Sequence, residues 1–192
     1  MSDDSPTVHL VDDDEDLRHA LAQGLELEGL PVKAHAGSED VVARLRRDDY
    51  AVVVTDIRMP GDDGMTLLKK ILAVDSAYPV ILITGHGDVQ VAVEAMRAGA
   101  YDFIEKPFVV SRLSTVVERA LEKRRLVLEN RTLRNELDQR HDLIQRLAGR
   151  SAPIVKLRGQ ISAVADTDAD VLIVGETGSG KEVVARALHD YS

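Results

Sequence analysis

The stretch Ala51-Val52-Val53-Val54-Thr55, followed directly by Asp56, decides the fold class of this chain. A short apolar run without polar alternation is typical of a parallel strand that is buried on both faces. Such a strand lies between two helical layers, so strands and helices must alternate along the chain. A polar residue directly after the strand then lies at the carboxyl edge of the sheet, where folds of this class bind ligands.

Short apolar runs of the same kind recur on both sides of this stretch. The five predicted strands are Thr7–Val11, Pro31–His35, Ala51–Thr55, Pro79–Thr84 and Tyr101–Ile104. The predicted helices between them, which show helical periodicity, are Glu15–Glu28, Ser38–Arg47, Gly64–Val74 and Val89–Ala98. In the last of these, the apolar stripe consists of Val89, Val93 and Met96. The pattern predicts an α/β fold with a doubly wound, five-stranded parallel sheet.

The composition limits the class of protein. Of the 192 residues, 44% are hydrophobic and 30% are charged, which is typical of a folded chain of one or two domains. No apolar run approaches the ~20 residues of a membrane-spanning helix, and the acidic start is unlike a secretory signal. The sequence contains no cysteine, which excludes disulfides and thiolate sites. We therefore expect a cytoplasmic protein without a membrane partner.

Charge is distributed unevenly along the sequence. Residues 1–110 carry 10 Lys and Arg against 21 Asp and Glu, a net charge of −11. Residues 111–150 carry 10 against 6, a net charge of +4. The acidic first part argues against a nucleic-acid surface there, because phosphate binding needs clustered Lys and Arg. The change of sign near residue 110 indicates a change of architecture.

Polar side chains follow four of the five predicted strands. They are Asp12, Asp13 and Asp14 after the first strand, Asp56 after the third, Thr84 after the fourth, and Glu105 and Lys106 after the fifth. Neighbouring carboxylates remain ionised together only near a cation, and an all-oxygen ligand set suits Mg²⁺ or Mn²⁺. Asp56 could then accept a phosphoryl group as a nucleophile, with Lys106 as a second positive contact. The alternative is that Asp13 or Asp14 only caps the next helix, while Thr84 and Lys106 are ordinary loop residues.

Four segments carry a resemblance to a known family. They are HLVDDDED (9–16), VVTDIRMPGDDG (53–64), ILITGHGD (81–88) and AYDFIEKPF (100–108). Over residues 5–122 the chain resembles the receiver domain of bacterial two-component response regulators, which has a flavodoxin-like fold. The resemblance implies phosphorylation of Asp56 by a sensor histidine kinase, and a cis bond between Lys106 and Pro107. The implied roles are Thr84 as switch hydroxyl, Phe103 as switch aromatic, Lys106 as phosphoryl contact, and Asp12, Asp13, Asp56 and the Arg58 backbone carbonyl as Mg²⁺-binding groups.

The segment from Val110 to Leu147 contains neither Pro nor Gly and predicts one long helix. Leu133, Leu137, Ile144 and Leu147 form a seam that favours a short parallel coiled coil, and hence a homodimer through receiver and linker, with Asn130 fixing the register. The alternative is an amphipathic helix that packs on the chain's own second module. The arginines of this segment, Arg124, Arg125, Arg131 and Arg134, are interpreted as solvated positions rather than a DNA-binding patch.

A phosphate-binding motif follows the linker. Asp170–Val174 predicts a strand, and it runs directly into Gly175, Glu176, Thr177, Gly178, Ser179, Gly180, Lys181 and Glu182. This is the G-x-x-x-x-G-K pattern, whose backbone amides and lysine bind the phosphates of ATP. Glu182 occupies the position where a Mg²⁺-binding Ser or Thr is usual. The alternative is a glycine-rich turn that binds no nucleotide.

The motif with this glutamate resembles the AAA+ ATPase modules that activate sigma-54 RNA polymerase, in the NtrC-like group and most of all its C4-dicarboxylate transport type. The resemblance implies three parts: receiver 5–122, helical linker 123–148, and the start of the ATPase module, 151–192. It also implies sigma-54 RNA polymerase and enhancer DNA as partners of the longer protein. We expect the receiver to assist its own phosphorylation and dephosphorylation, and residues 151–192 to be too short to hydrolyse ATP.

Two other functions fit parts of the sequence. One is a P-loop ATPase with an accessory N-terminal domain. The other is a Mg²⁺-dependent phosphatase with an aspartyl-phosphate intermediate, of the haloacid dehalogenase type. That class places its nucleophile after the first strand, whereas Asp56 follows the third.

Overall fold

The structure is a computed structural model that describes residues 5–61, 63–85, 89–147, 149, 151–165, 167 and 169–191. The chain divides into two compact units, residues 1–129 and 130–192. A long helix, α5 (Val110–Arg146), begins in the first unit and ends in the second. None of the helices in these described ranges has the length and apolar character needed to cross a bilayer.

The first unit contains a five-stranded sheet. Its strands are β1 (Thr7–Val11), β2 (Val32–His35), β3 (Ala51–Asp56), β4 (Val80–Thr84) and β5 (Asp102–Glu105). The helices between them are α1 (Glu15–Leu27), α2 (Ser38–Val42), α3 (Gly64–Val74) and α4 (Val89–Ala98). All neighbouring strands are parallel, in the order β2-β1-β3-β4-β5. The predicted doubly wound α/β fold is therefore confirmed.

The central strand β3 is buried along its whole length, as its composition predicts. Val53 belongs to the apolar core on one face of the sheet, together with Leu67 and Ile71 of α3. Val52 and Val54 belong to the core on the other face. The alternation of β3 side chains between two cores fixes the strand register, because a shift by one residue would exchange the faces.

Helix α2 is shorter than predicted, since it ends at Val42 rather than Arg47. The backbone amide of Arg46 donates to the Asp49 carboxylate at 2.7 Å, and the carbonyl of Arg47 accepts from Arg124 at 2.6 Å. Side chains thus satisfy backbone groups that a longer helix would have paired, so the helix can end early without leaving them unbonded.

The predicted apolar stripe of α4 is wrong at the two positions that the structure describes. Val93 and Met96 are 45% and 41% exposed, whereas Ala92 and Ala95 are buried. The side chain of Val89 lies outside the described residues. Helix α4 therefore packs through its small residues, and periodicity alone could not distinguish the two faces.

Arg124 is buried rather than solvated, which corrects the interpretation of this residue in α5. Its side chain is 0% exposed and its Nη1 lies 2.6 Å from Oδ2 of Asp75, just after α3. Its Nε donates to the carbonyl of Asp49 at 3.0 Å, and its guanidinium lies 4.5 Å from the centre of the Tyr78 ring. We call this group of contacts the Arg124 clamp. Its neighbour Arg125 is exposed, as expected.

A buried histidine pair joins the two strands β1 and β2. Nδ1 of His9 lies 3.1 Å from Nε2 of His35, and the two rings stack with their centres 5.3 Å apart. Burial and the neighbouring His35 lower the pKa of His9 to about 4, and burial also lowers the pKa of His35. The charged groups around the pair are Lys33 of β2, Asp40 of α2, and Arg44 and Asp49 of the loop after it.

We expect the first unit to lose stability as the pH falls below 6.5. The unfolded chain takes up protons near the ordinary histidine pKa of 6.5, while folded His9 resists protonation until about pH 4, so protons favour the unfolded state between these values. The loss from His9 is on the order of 3 kcal/mol by pH 4. Urea unfolding from pH 7.5 to 4 measures it.

The variant His9→Gln should reduce this pH dependence, because glutamine keeps a polar contact for His35 without titrating. The matched control is His19→Gln, since His19 is exposed on α1. A His9→Gln profile parallel to that of the unsubstituted protein would contradict the prediction.

The second unit contains the end of α5 followed by α6 (Ala152–Ala165) and α7 (Lys181–Tyr191). A small core forms around Leu147, Ile161, Val184 and Ala187. Helix α6 was not predicted; its Pro153 stands in the first turn, where proline is tolerated because the amide there needs no helical partner. Helix α5 ends at Arg146, and α6 begins at Ala152.

The predicted strand Asp170–Val174 is wrong, because these residues form no strand. Within the described part of this unit no other strand is present to pair with them, and a strand requires a hydrogen-bonded neighbour. Leu172 is 87% exposed as a result.

The coiled coil of the linker stays a prediction. Leu126 and Leu133 are exposed, and the side chains of Leu137 and Ile144 lie outside the described residues.

Candidate functional site at the carboxyl edge of the sheet

Three charged side chains meet at the carboxyl ends of β1, β3 and β5. The ammonium of Lys106 contacts Oδ2 of Asp56, and it lies 3.8 Å from Oδ2 of Asp12. The parallel register explains the meeting, because it sets the end of β3 beside β4 and the end of β4 beside β5. The Lys106–Pro107 bond is cis, as the resemblance implied.

Asp56 is the last residue of β3 and is buried. Its Oδ1 accepts a hydrogen bond from the backbone amide of Arg58 at 3.0 Å, and its Oδ2 accepts from Lys106. The carboxylate is therefore held at both oxygens. A carboxylate that is fixed in this way beside an ammonium can act as an oriented nucleophile toward an electrophilic phosphorus.

Asp12 has an unusual environment for a carboxylate. It is 1% exposed, and its Oδ1 accepts from the backbone amide of Asp14 at 3.0 Å. Its Oδ2 is buried without any hydrogen-bond partner among the described residues. Burial raises the pKa of the Asp12 carboxyl, and the nearby Asp56 carboxylate acts in the same direction.

The unbonded oxygen of Asp12 tests whether these residues fit Mg²⁺. An unsatisfied carboxylate oxygen in a buried position is costly unless a cation or proton binds it. Its neighbour Asp56 supplies a second hard oxygen, and the Arg58 backbone lies beside that carboxylate. Oxygen ligands of this kind fit Mg²⁺, so Asp12, Asp13, Asp56 and the Arg58 carbonyl, the groups that the resemblance implies, would hold the ion.

The fourth implied group, Asp13, differs from the other acidic residues because its side chain is exposed. Within the described residues no three Asp, Glu or His side chains are arranged to hold a metal ion. Asp12 and Asp56 meet at this edge beside Lys106, and the role of Asp13 as a Mg²⁺ ligand stays a prediction. The helix cap that the sequence left open belongs to Asp14, which accepts from the amide of Leu17 at 3.1 Å.

Thr84 and Phe103, the two implied switch residues, differ in exposure. Thr84 ends β4, is buried, and its carbonyl accepts from the Lys106 amide at 2.8 Å. Phe103 is 37% exposed, so its ring is not a core residue. The hydroxyl therefore lies within the protein interior at the same edge as Lys106, while the aromatic ring is accessible to solvent.

The glycine-rich segment of the second unit forms a turn before α7. Gly178 and Gly180 have φ values of 82° and 85°, which other residues rarely adopt. Nζ of Lys181 donates to the carbonyls of Gly175 and Glu176 at 2.7 and 2.6 Å. Glu182 pairs with Arg186 on the surface of the helix. The lysine of the motif is thus bonded to its own loop.

Family comparison agrees with this geometry. A family model described as the response regulator receiver domain matches residues 8–118. The chain belongs to the response regulator receiver family. A second model, the sigma-54 interaction domain, matches residues 147–192. Both matches therefore agree with the families that the sequence resemblance indicated.

This receiver-containing chain is similar to curated transcriptional regulators and to a solved structure. It is 58% identical over 185 residues to the C4-dicarboxylate transport transcriptional regulatory protein DctD of Pseudomonas aeruginosa, and 50% identical over 188 residues to DctD of Rhizobium meliloti. These matches cover 96% and 98% of this chain, and 40% and 41% of those proteins. The crystal structure of NtrX from Brucella abortus is similar with a TM-score of 0.58 and 38% identity, covering 97% of this chain and 40% of that one. The chain spans about two fifths of these relatives.

Two residues of the receiver site were missed by sequence reasoning. Arg18 of α1 donates from Nη1 to the carbonyl of Asp12 at 2.7 Å. Gly64, the first residue of α3, lies so close to β3 that an added Cβ would be 2.4 Å from the Asp56 carbonyl oxygen. The only sequence signal for Arg18 was its place near the start of the helix after the acidic residues, and Gly64 had none beyond its place as the first residue of a predicted helix.

Proposed function

We propose that this receiver accepts a phosphoryl group on Asp56 from a sensor histidine kinase, with Mg²⁺ as the cofactor. The observation that carries the proposal is the contact of the Asp56 carboxylate with Lys106, beside the unbonded oxygen of buried Asp12. This combination provides a nucleophile, a positive contact for the incoming phosphoryl oxygens, and an oxygen ligand for a cation.

In the proposed reaction an oxygen of Asp56 attacks the phosphorus of the kinase phosphohistidine. The new O–P bond forms while the P–N bond breaks, and its electron pair remains on the imidazole nitrogen. The Arg58 amide orients the attacking carboxylate, and Lys106 moves its contact from Asp56 to a phosphoryl oxygen. Mg²⁺ held by Asp12, Asp13, Asp56 and the Arg58 carbonyl would supply positive charge for the phosphoryl oxygens.

After transfer, the phosphoryl group adds about two negative charges at the end of β3. Thr84, buried at the end of the next strand, then donates its hydroxyl to a phosphoryl oxygen. The exposed Phe103 ring moves toward the space that Thr84 leaves, which changes the surface beside β5. The phosphorylated receiver thus favours one of two conformations.

The second module links this switch to transcription in our proposal. Its match to the sigma-54 interaction domain supports a role in activating sigma-54 RNA polymerase at enhancer DNA, with ATP bound at residues 175–182. A homodimer through receiver and linker, acting in the cytoplasm, would bring two modules together. The likeness to DctD proteins supports control of C4-dicarboxylate transport.

We expect one phosphoryl group per chain after incubation with acetyl phosphate and Mg²⁺, as measured by intact mass. Asp56→Asn should abolish the adduct, because the amide is a poor nucleophile. Asp16→Asn, at an exposed position in the first turn of α1, is the matched control and should be phosphorylated normally.

The adduct should be released by hydroxylamine, since an aspartyl phosphate is an acyl phosphate. Steady phosphate release without an adduct would instead indicate a phosphatase. ATP hydrolysis that survives Asp56→Asn and is lost in Lys181→Ala would indicate an ATPase. The first result would contradict the proposed function, and the second would contradict the expectation that residues 151–192 are too short to hydrolyse ATP.

A further inference from the structure

The acidic loop after β1, Asp12–Asp14, forms backbone hydrogen bonds with both β2 and α1. The amide of Asp12 donates to the carbonyl of His35 in β2 at 3.2 Å, and its carbonyl accepts from Nη1 of Arg18 at 2.7 Å. The same guanidinium nitrogen lies 3.5 Å from the carbonyl oxygen of Asp13. The guanidinium therefore bridges the two residues that begin the loop.

These contacts determine where the Asp12 carboxylate points. Because the Asp14 amide occupies Oδ1, the other oxygen is free to face Lys106 at 3.8 Å. A rotation of the Asp12 carbonyl would break the bond to Arg18 and turn the attached side chain. The half-buried Arg18 thus restrains the orientation in which Oδ2 of Asp12 faces the same ammonium, Lys106, as Oδ2 of Asp56.

A positive side chain is unexpected so close to a site that would hold a cation. By charge alone, Arg18 repels Mg²⁺, and its removal would strengthen binding. By position, Arg18 keeps an oxygen ligand oriented, and its removal would weaken Mg²⁺ binding. Residues that hydrogen-bond to metal ligands in other proteins have this effect. The two effects have opposite signs, so a measured affinity distinguishes them.

We propose that Arg18 is a positioning residue for the divalent-cation site, acting through the backbone carbonyls of Asp12 and Asp13. The inference rests on the proposed function in one respect, namely that Asp12 and Asp56 bind Mg²⁺. Arg18 does not contact the reacting atoms. It holds the acidic loop in the binding geometry before the cation binds. The binding free energy is then not reduced by the entropy cost of ordering that loop.

The test is a titration of the ¹⁵N-labelled chain with MgCl₂, with amide chemical shifts giving the dissociation constant. Arg18→Met should weaken Mg²⁺ binding by about tenfold. Arg18→Lys keeps the charge and a single donor, so it should fall between Arg18→Met and the unsubstituted protein. Arg119→Met removes an exposed arginine from α5 and should leave the constant unchanged.

The unfolding temperature of each variant is also measured without Mg²⁺. A lower unfolding temperature would show that the substitution on α1 reduces the stability of the fold. A lower unfolding temperature with an unchanged or tighter dissociation constant for Arg18→Met would overturn the inference, since it would assign Arg18 a purely structural role. If the unsubstituted protein bound Mg²⁺ and were phosphorylated while Arg18→Met bound equally well, only this inference would fail. If the unsubstituted protein neither bound Mg²⁺ nor formed the Asp56 adduct, the proposed function would fail with it.

Discussion

Arg124→Met is expected to destabilise the first unit by about 3–5 kcal/mol, the usual loss when one partner of a buried ion pair is removed. The substitution leaves the buried Asp75 carboxylate without its guanidinium at 2.6 Å. It also removes the donors to the carbonyls of Arg47 and Asp49 and the cation over the Tyr78 ring. Urea unfolding followed by circular dichroism measures the change.

The next residue provides a matched control for this prediction. Arg125 is on the same helix but exposed, where it pairs with Glu122 and Glu129. Exposed ion pairs contribute little because water screens them, so Arg125→Met should change stability only slightly. The double variant Arg124→Met with Asp75→Asn should recover part of the loss, since the side chain that has lost the guanidinium no longer carries a charge. An equal effect of Arg124→Met and Arg125→Met would contradict the ion-pair explanation.

Gly64→Ala is the second substitution for which we expect a large effect. Its Cβ would lie 2.4 Å from the Asp56 carbonyl oxygen and 2.8 Å from Cα of Ile57, and both are backbone atoms. Backbone cannot rotate away as a flexible side chain can, so α3 or the end of β3 must move. Overpacking of this kind costs about 1–3 kcal/mol. Urea unfolding measures that loss.

The same displacement should slow phosphorylation by acetyl phosphate, because it moves the Asp56 backbone relative to Lys106. Gly37→Ala is the control, since Gly37 has an extended φ of −162° and no atom within 4 Å of an added Cβ. It should leave both unfolding and phosphorylation nearly unchanged. Normal phosphorylation of Gly64→Ala at full stability would show that α3 does not pack against Asp56 as described.

The sheet could be predicted from sequence because each of its signals is local. An apolar run such as that of β3 indicates burial on two faces, and the end of a parallel strand indicates the ligand edge. The meeting of Asp12, Asp56 and Lys106 follows from those two rules alone. No long-range contact had to be known for this part of the site.

Other features depend on contacts that no local pattern contains. The burial of Arg124 requires carbonyls and a carboxylate from distant loops, so among the charged residues of a long helix it could not be recognised. The face of α4 was misjudged because the small Ala92 and Ala95, rather than the larger Val93 and Met96, are the buried residues. Residues 170–174 have the composition of a strand, but composition supplies no pairing partner.

The Arg124 clamp also bears on how the receiver is completed during synthesis. Arg124 follows its partners Asp75, Asp49 and Arg47 by 49, 75 and 77 residues, so those loops are translated long before the guanidinium that neutralises and bonds them. Domains mature as their later segments leave the ribosome. A nascent receiver that has only reached residue 118, where the family match stops, therefore still lacks the Arg124 guanidinium that contacts Asp75, and it gains this ion pair only when the next turns of α5 emerge.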